Sequence, residues 1–296
     1  MKFEFMRNHE DEFGIEKMSE MFKVSRSGYY QFIYADPSSR SKEDDRLLEL
    51  IKIIYKASRA TYGSPRVHAE LRARGETCSR KRVARLMKKA GIEAKMKKRY
   101  KVTTKANPKA KAAPNLLNQD FTAEAPNQRW VADFTYVGTG EGWLYVAIVL
   151  DLFSRKIVGL AMEERMTADL VIKALEQAIL HRQPEAGLIH HSDRGSQYTS
   201  QDFQSLLMLY GAIASMSGTG NCYDNATAES YFHTMKTEHV YFEYYQTREK
   251  AKVSIFEYTW IFYNKIRRHS SLGYLSPEAF EQQWHQQQNL QLPNVH

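Results

Sequence analysis

Three carboxylates stand out by where the sequence puts them. Asp133 lies in the apolar run WVADFTY, Asp193 closes LIHHSD, and Glu229 sits in NATAES. Strand interiors disfavour aspartate, and a buried carboxylate without a partner is costly. Asp133 therefore needs a partner or a cation. Asp193 follows a short apolar strand at its C-terminal end, where open α/β sheets usually place their sites. Singly, each acid has an ordinary explanation: an Asp after a strand is usually a turn residue or helix cap, and a helical Glu is usually solvated. As a set they are hard oxygen donors of the kind magnesium and manganese prefer. Two such ions about 3.5–4 Å apart can activate an attacking oxygen and stabilise a leaving one.

The elements around these acids follow from residue patterning. RWVADFTYV and WLYVAIVLD are rich in β-branched and aromatic residues, with Gly138, Gly140 and Gly142 between them, and RKIVGLAME follows. They predict an antiparallel meander of three strands. Residues 167–182 predict an amphipathic helix, LIHHS a short buried strand, 200–210 a helix and AIASMS a fifth strand. From Asn225 to about Arg268 the pattern reads as helical. The expected class is an α/β layered fold with a mixed five-stranded sheet.

Charge divides the chain. Residues 1–125 hold 28 Lys/Arg against 16 Asp/Glu, and residues 126–296 hold 14 against 18. A basic half that grips a polyanion and a mildly acidic half that gathers carboxylates fit this split. The run 79–111 carries fourteen basic residues and one acid, Glu93, a pattern expected of phosphate neutralisation. Residues 15–34 read as two short helices broken near Lys23–Ser25, with Ser25 as a cap. Helices over 42–57, from Ser64–Pro65 to Gly75, and from Ser79 to Gly91 follow. The last presents Arg80, Lys81, Arg82, Arg85, Lys88 and Lys89, which is the helix-turn-helix plan with a basic final helix in the major groove. A helical bundle with a basic exterior is the alternative. Residues 95–120 lack apolar periodicity and read as a basic mobile linker that includes Lys97, Lys98 and Arg99.

Other classes are disfavoured. No apolar run reaches ~18 residues, so no membrane span is expected, and the charged start lacks a signal peptide. A cytoplasmic, nucleoid-associated protein is expected. Cys78 and Cys222 are too few and too far apart for a disulfide scaffold or a zinc motif, and Cys222 reads as a small buried residue. Trp130 and Trp143 read as core.

The blocks WVADFTYV, HHSDRGSQYTS and GNCYDNATAES, with YNKIRRHSSLGYLSPEAF near the end, resemble those of insertion-sequence transposases with an Asp-Asp-Glu, retroviral-integrase-like catalytic core. More closely, the chain is similar to the second-frame product of two-frame bacterial insertion elements, from about Gly14 to Phe280. Thirty-five residues separate Asp193 from Glu229, the spacing that names that core, and the basic residue expected seven positions after the glutamate is Lys236. Seven residues is about two helical turns, so Lys236 and Asn225 share the Glu229 face, and both are expected to contact DNA, Lys236 near the scissile phosphate. The family often has a basic pair before GNCYDN; here Gly218 and Thr219 stand there.

The resemblance implies a ribonuclease-H-like core over 125–285. A partial helix-turn-helix remnant (1–40), a helix-turn-helix-like DNA-binding domain (41–100) and a basic linker (101–124) would precede it, and a tail (286–296) would follow. It implies two Mg²⁺ ions, with Mn²⁺ as substitute, held by Asp133 and Asp193 and by Asp133 and Glu229. It implies cleavage at the element's terminal inverted repeats, then attack of the freed 3′-hydroxyl on target DNA. Partners would be double-stranded DNA, further copies of the chain on paired ends, and the first-frame product or its frameshift fusion. Arg267 and His269 are expected at DNA or the active site, and one of His190 and His191 at most can face the metals. A DNA-binding regulator with an inactive core and a nuclease that does not join are the competing readings. The complete acid set disfavours the first, and the separate end-binding region disfavours the second.

Overall fold

A computed structural model describes residues 1–34, 36, 38–96, 113–218 and 225–291. Lys97, Lys98, Arg99, Thr219 and Cys222 lie outside the described residues.

Three short helices come first: α1 (Lys2–Asn8), α2 (Ile15–Phe22) and α3 (Arg26–Tyr34). They close over Met6, Met18 and Tyr29. The break between α2 and α3 falls at Lys23, which adopts the left-handed conformation at φ 52°, and the Gly28 N–H donates to Ser25 Oγ at 3.1 Å. The first helix had no counterpart in the sequence reading.

The basic segment folds as α4 (Ser39–Ala57), α5 (Ser64–Ala73) and α6 (Arg80–Lys89). Their shared core contains Leu47, Ile51, Ile54, Val67, Leu71, Val83, Leu86 and Met87. Ser38 caps α4 and Ser79 caps α6, each accepting a backbone N–H at 3.2 Å. The cap of α5 is Gly63, one residue earlier than expected, and Ser64 is already helical.

The expected five strands form one mixed sheet. They are β1 (Arg129–Thr139), β2 (Gly142–Asp151), β3 (Ile157–Glu163), β4 (Ile189–Ser192) and β5 (Ile213–Met216), in the order β3-β2-β1-β4-β5. The β1–β2 and β2–β3 pairs are antiparallel, and β4 is parallel to both β1 and β5. Side chains alternate along β1, so its two faces feed two cores. Trp130 and Ala132 pack with α7 (Ala168–Arg182) and α8 (Gln201–Leu209). Val131 and Val137 pack with α9 (Ala226–Glu238) and α10 (Arg248–Phe256).

The helical stretch expected from Asn225 to Arg268 is interrupted. Between α9 and α10 the chain turns so that Val240 and Tyr245 enter the core, and the Tyr245 carbonyl accepts the Gly140 N–H at the β1–β2 turn. After α10 the helix continues in π winding over Glu257–Ile266, and α11 (Pro277–Gln291) closes the chain across the expected boundary at 285. The expected linker also ends early. Leu117 is buried, with Phe121 and Ala123 against the same core, and the Met216 N–H donates to the Pro114 carbonyl. Trp143 is 54% exposed, not core: it stands beside the β1–β2 turn, edge-on to Tyr136.

The helical domain is clamped to the C-terminal part of the core. Tyr62 donates to the Ile266 carbonyl at 3.0 Å and accepts the Arg268 N–H at 2.7 Å. The Arg268 side chain donates to Glu70 at 2.6 Å, and Arg59 pairs with Glu257 at 2.5 Å.

Candidate active site

Register explains how two of the acids meet. In the parallel β1–β4 pair, Val131 is opposite His191. Asp133 lies two residues past that pair on β1 and Asp193 directly follows the last residue of β4, near enough for the Asp193 charge to act on Asp133. Asp133 shares its face of β1 with Val131, which is the face α9 covers. That face brings in Glu229. Two bonds hold α9 to β1 on either side of Asp133. Asn225 Nδ2 donates to the Ala132 carbonyl at 3.1 Å, and Lys236 Nζ donates to Thr135 Oγ1 at 2.5 Å.

The local chemistry of each acid differs. Asp133 accepts the Phe134 N–H at 2.8 Å. Burial, then the nearby Asp193 carboxylate, push its pKa up to about 8, with Glu229 adding to the rise. Asp193 is raised by burial and accepts the Gly195 N–H at 2.9 Å. A Cβ at Gly195 would sit 3.0 Å from that same Asp193 oxygen, so glycine keeps this turn tight. Glu229 is the exposed member, and it too is raised by burial. Burial depresses Lys236, and Asp133 only partly offsets this. Lys236 also lies over the Tyr136 ring at 5.3 Å.

Among the described residues, no three His, Cys, Asp or Glu side chains close on one point as a metal cage would. Asp133 and Asp193 are half-buried and Glu229 is exposed. That suits a hard divalent ion, which keeps several waters and takes one or two carboxylates plus substrate phosphate. Asp193 and Glu229 both add to the rise at Asp133, which is the field a cation relieves.

The supporting residues divide. Asn225 is 6% exposed, so the DNA contact expected of it gives way to an anchoring role on β1. Arg267 is 4% exposed and grips Glu238 through two bonds of 2.7 Å. Its guanidinium is spent on an internal ion pair, because a buried cation must be paired. His269 is held neutral, its pKa pushed down to about 2 by burial and then by Arg267, Arg66 and Arg155. Asn264 braces the edge of β3, accepting from the Ile157 N–H at 3.0 Å and donating to the Ile157 carbonyl at 2.9 Å. Both histidines before Asp193 are core groups. His190 packs edge-on to Phe203, with its pKa pushed down to about 3 by burial. His191 bonds to Ser215 and Ser217.

On α6, Arg80, Lys81, Arg85, Lys88 and Lys89 are exposed and Arg82 is half-buried. Arg82 and Arg85 share Asp44 at 2.7 and 2.6 Å, so the free basic surface is narrower than the sequence suggested. Sequence reasoning missed Thr135, Gly195, Tyr198 and Glu238. Tyr198 is buried with no hydrogen-bond partner for its hydroxyl; its pKa is raised by burial and by Asp133 and Asp193. The only sequence signal for it was its place in the HHSDRGSQYTS block.

Comparison with known proteins gives the lineage. Integrase core domain families match residues 123–222 and 210–277, and an HTH-like domain family matches residues 42–100. The transposase InsF for insertion sequence IS3A of Escherichia coli (strain K12) is 40% identical over 283 residues, spanning 95% of this chain and 98% of that protein. This chain belongs to the IS3 family of transposases. The insertion element IS600 uncharacterized 31 kDa protein of Shigella sonnei is 48% identical over 91% of this chain and 99% of its own length. Among solved structures, the HTLV-2 integrase catalytic core domain in complex with magnesium aligns with 53% of this chain and 97% of its own, at 18% identity and a TM-score of 0.40. As an IS3-family transposase the chain is a polynucleotidyl transferase of DNA transposition with an HTH-like DNA-binding domain. No described helix is long and apolar enough to cross a membrane.

Proposed function

We propose that Asp133, Asp193 and Glu229 hold two divalent cations, magnesium or manganese, and that the chain cleaves the ends of its element and transfers the freed 3′-hydroxyl to target DNA. The observation that carries this reading is the Asp133 carboxyl in mid-strand, pushed up to about 8 by burial and then by Asp193, with Glu229 adding to the rise. When bound, the ions supply Lewis-acid stabilisation of the attacking and leaving oxygens. The chain supplies placement. Register sets Asp133 beside Asp193, the Gly195 N–H orients the Asp193 carboxylate, and Asn225 and Lys236 fix the helix that carries Glu229. Lys236 leaves Thr135 to meet a DNA phosphate near the scissile bond. The exposed Arg80, Lys81, Lys88 and Lys89 of α6 contact the phosphates of the terminal repeats. Two ends must be joined in one event, so the working assembly holds at least two copies of the chain.

The test is incubation of labelled element ends with magnesium or manganese, with cleavage and joining scored separately. Asp133→Asn, Asp193→Asn and Glu229→Gln each abolish joining and keep end binding. Joining that survives any of the three sinks the metal assignment, and cleavage without joining by the unmodified chain makes it a nuclease.

A further inference from the structure

A second charged site lies on the other side of α9. A cavity of about 330 Å³ is lined by Arg66 of α5, Arg155 of the β2–β3 turn, Thr227 and Ser230 of α9, and Arg267 and His269. Its charge is unbalanced. Glu238 is the one carboxylate paired with these guanidinia among the described residues. It takes two bonds from Arg267 at 2.7 Å and a longer one from Arg66 at 3.4 Å. Arg155 has no carboxylate partner there: its Nη1 donates to Thr227 Oγ1 at 2.8 Å and its Nη2 to the Phe121 carbonyl at 3.4 Å. Asp151, at the start of the same turn, is committed to Arg182 and to the Asn127 and Phe153 N–H groups.

Surplus guanidinium charge in a half-buried cavity is costly unless an anion answers it. Arginine cannot shed its proton to escape that cost. The backbone underlines the point. Arg155 adopts φ +61°, a left-handed conformation uncommon outside glycine, and from there its head reaches the Thr227 hydroxyl. Guanidinium forks match phosphate geometry, and the hydroxyls of Thr227 and Ser230 add donors.

We infer that this cavity seats one backbone phosphodiester of a DNA strand. The inference rests on the functional reading above and extends it, because Thr227 and Ser230 flank Glu229 in sequence on α9. A strand held here runs along the helix that presents the third catalytic acid. Arg66 belongs to the helical domain, so the same phosphate also ties that domain to the core.

The experiment measures binding of a fluorescein-labelled DNA duplex to the full chain by anisotropy, without divalent metal, across a salt series. Arg155→Gln and Arg66→Gln are each expected to weaken binding about tenfold and to lower the salt slope by about one. Ser230→Asp, at an exposed position, leaves the fold intact and weakens binding at least as much. Melting curves of each variant check folding. A parallel arm compares phosphate with chloride at equal ionic strength by thermal shift. If all three folded variants bind the duplex with unchanged affinity and slope, the proposal is wrong. If phosphate stabilises the unmodified chain while DNA binding ignores the variants, the cavity takes free anions and the proposal is equally overturned. An unmodified chain that binds no DNA refutes the functional reading itself. Loss of joining without loss of these contacts, as expected for Asp133→Asn, leaves the phosphate site standing.

Discussion

Replacing Asp133 with asparagine is expected to raise the stability of the metal-free protein while destroying its chemistry. The carboxyl has a pKa of about 8 in the folded chain against an ordinary 3.8, through burial first and the Asp193 charge second. Between those values the folded state keeps a proton that the unfolded state has released. Stability therefore falls as pH rises, by about 1.4 kcal/mol per unit. Across the whole window that is about 6 kcal/mol. Water reaching the half-buried carboxylate, and the sharing of charge with its neighbours, reduce it to about 2–3 kcal/mol. Asparagine has no proton to lose, so the variant escapes the slope. For a chain of this size each kcal/mol moves the melting temperature by about 2–4 °C. The variant is thus expected to match the unmodified protein near pH 5 and to melt about 5–10 °C higher near pH 8. The assay is calorimetry with chelator present, repeated with millimolar magnesium or manganese. Metal that binds only the folded state stabilises the unmodified chain by mass action, and the ranking at pH 8 narrows or reverses. Melting curves that run parallel across pH, or a metal response equal in both proteins, would refute the reasoning.

Other expectations follow from the same contacts. Glu238→Gln leaves Arg267 buried and poorly paired, which costs about 3–5 kcal/mol in urea unfolding; a loss below about 1 kcal/mol contradicts the ion pair's structural role. Neutralising Arg80, Lys81, Lys88 and Lys89 together is expected to lower the salt slope of DNA binding by up to about four. Arg82→Gln, which breaks a bond to Asp44, shows mainly in stability. A slope unchanged by the fourfold variant takes α6 off the DNA. Gly195→Ala pushes a Cβ against the Asp193 carboxylate, and joining is expected to fall at least tenfold with little change in melting temperature; full activity in that variant would mean the turn does not position Asp193.

Much of the fold was readable because its signals are local. β-branched runs gave the strands, Ser79 gave the start of α6, and the strand-end position singled out Asp193. The acids were legible as a set because the blocks around them and their separation are sequence features. What escaped depends on partners far away in the chain. Arg267 looks like a surface base until Glu238, twenty-nine residues earlier, is seen to claim it. Asn225 shares the Glu229 face by helical arithmetic, yet its amide is drawn to the Ala132 carbonyl. Helical periodicity also could not show the break after α9, where aromatic residues fill space over the β1–β2 turn. The positive cavity was hidden for the same reason: its arginines come from three separate elements.

The bonds from Tyr62 and Glu70 to residues 266–268 have a consequence for synthesis. The helices that carry the basic face leave the ribosome long before the segment they dock on. During that interval α4–α6 can complete their own core but have nothing to brace against. Their final orientation is set only when the last part of the catalytic core has been made. A shortened chain that stops before Glu257 would keep the reader's helices and lose the surface that aims them.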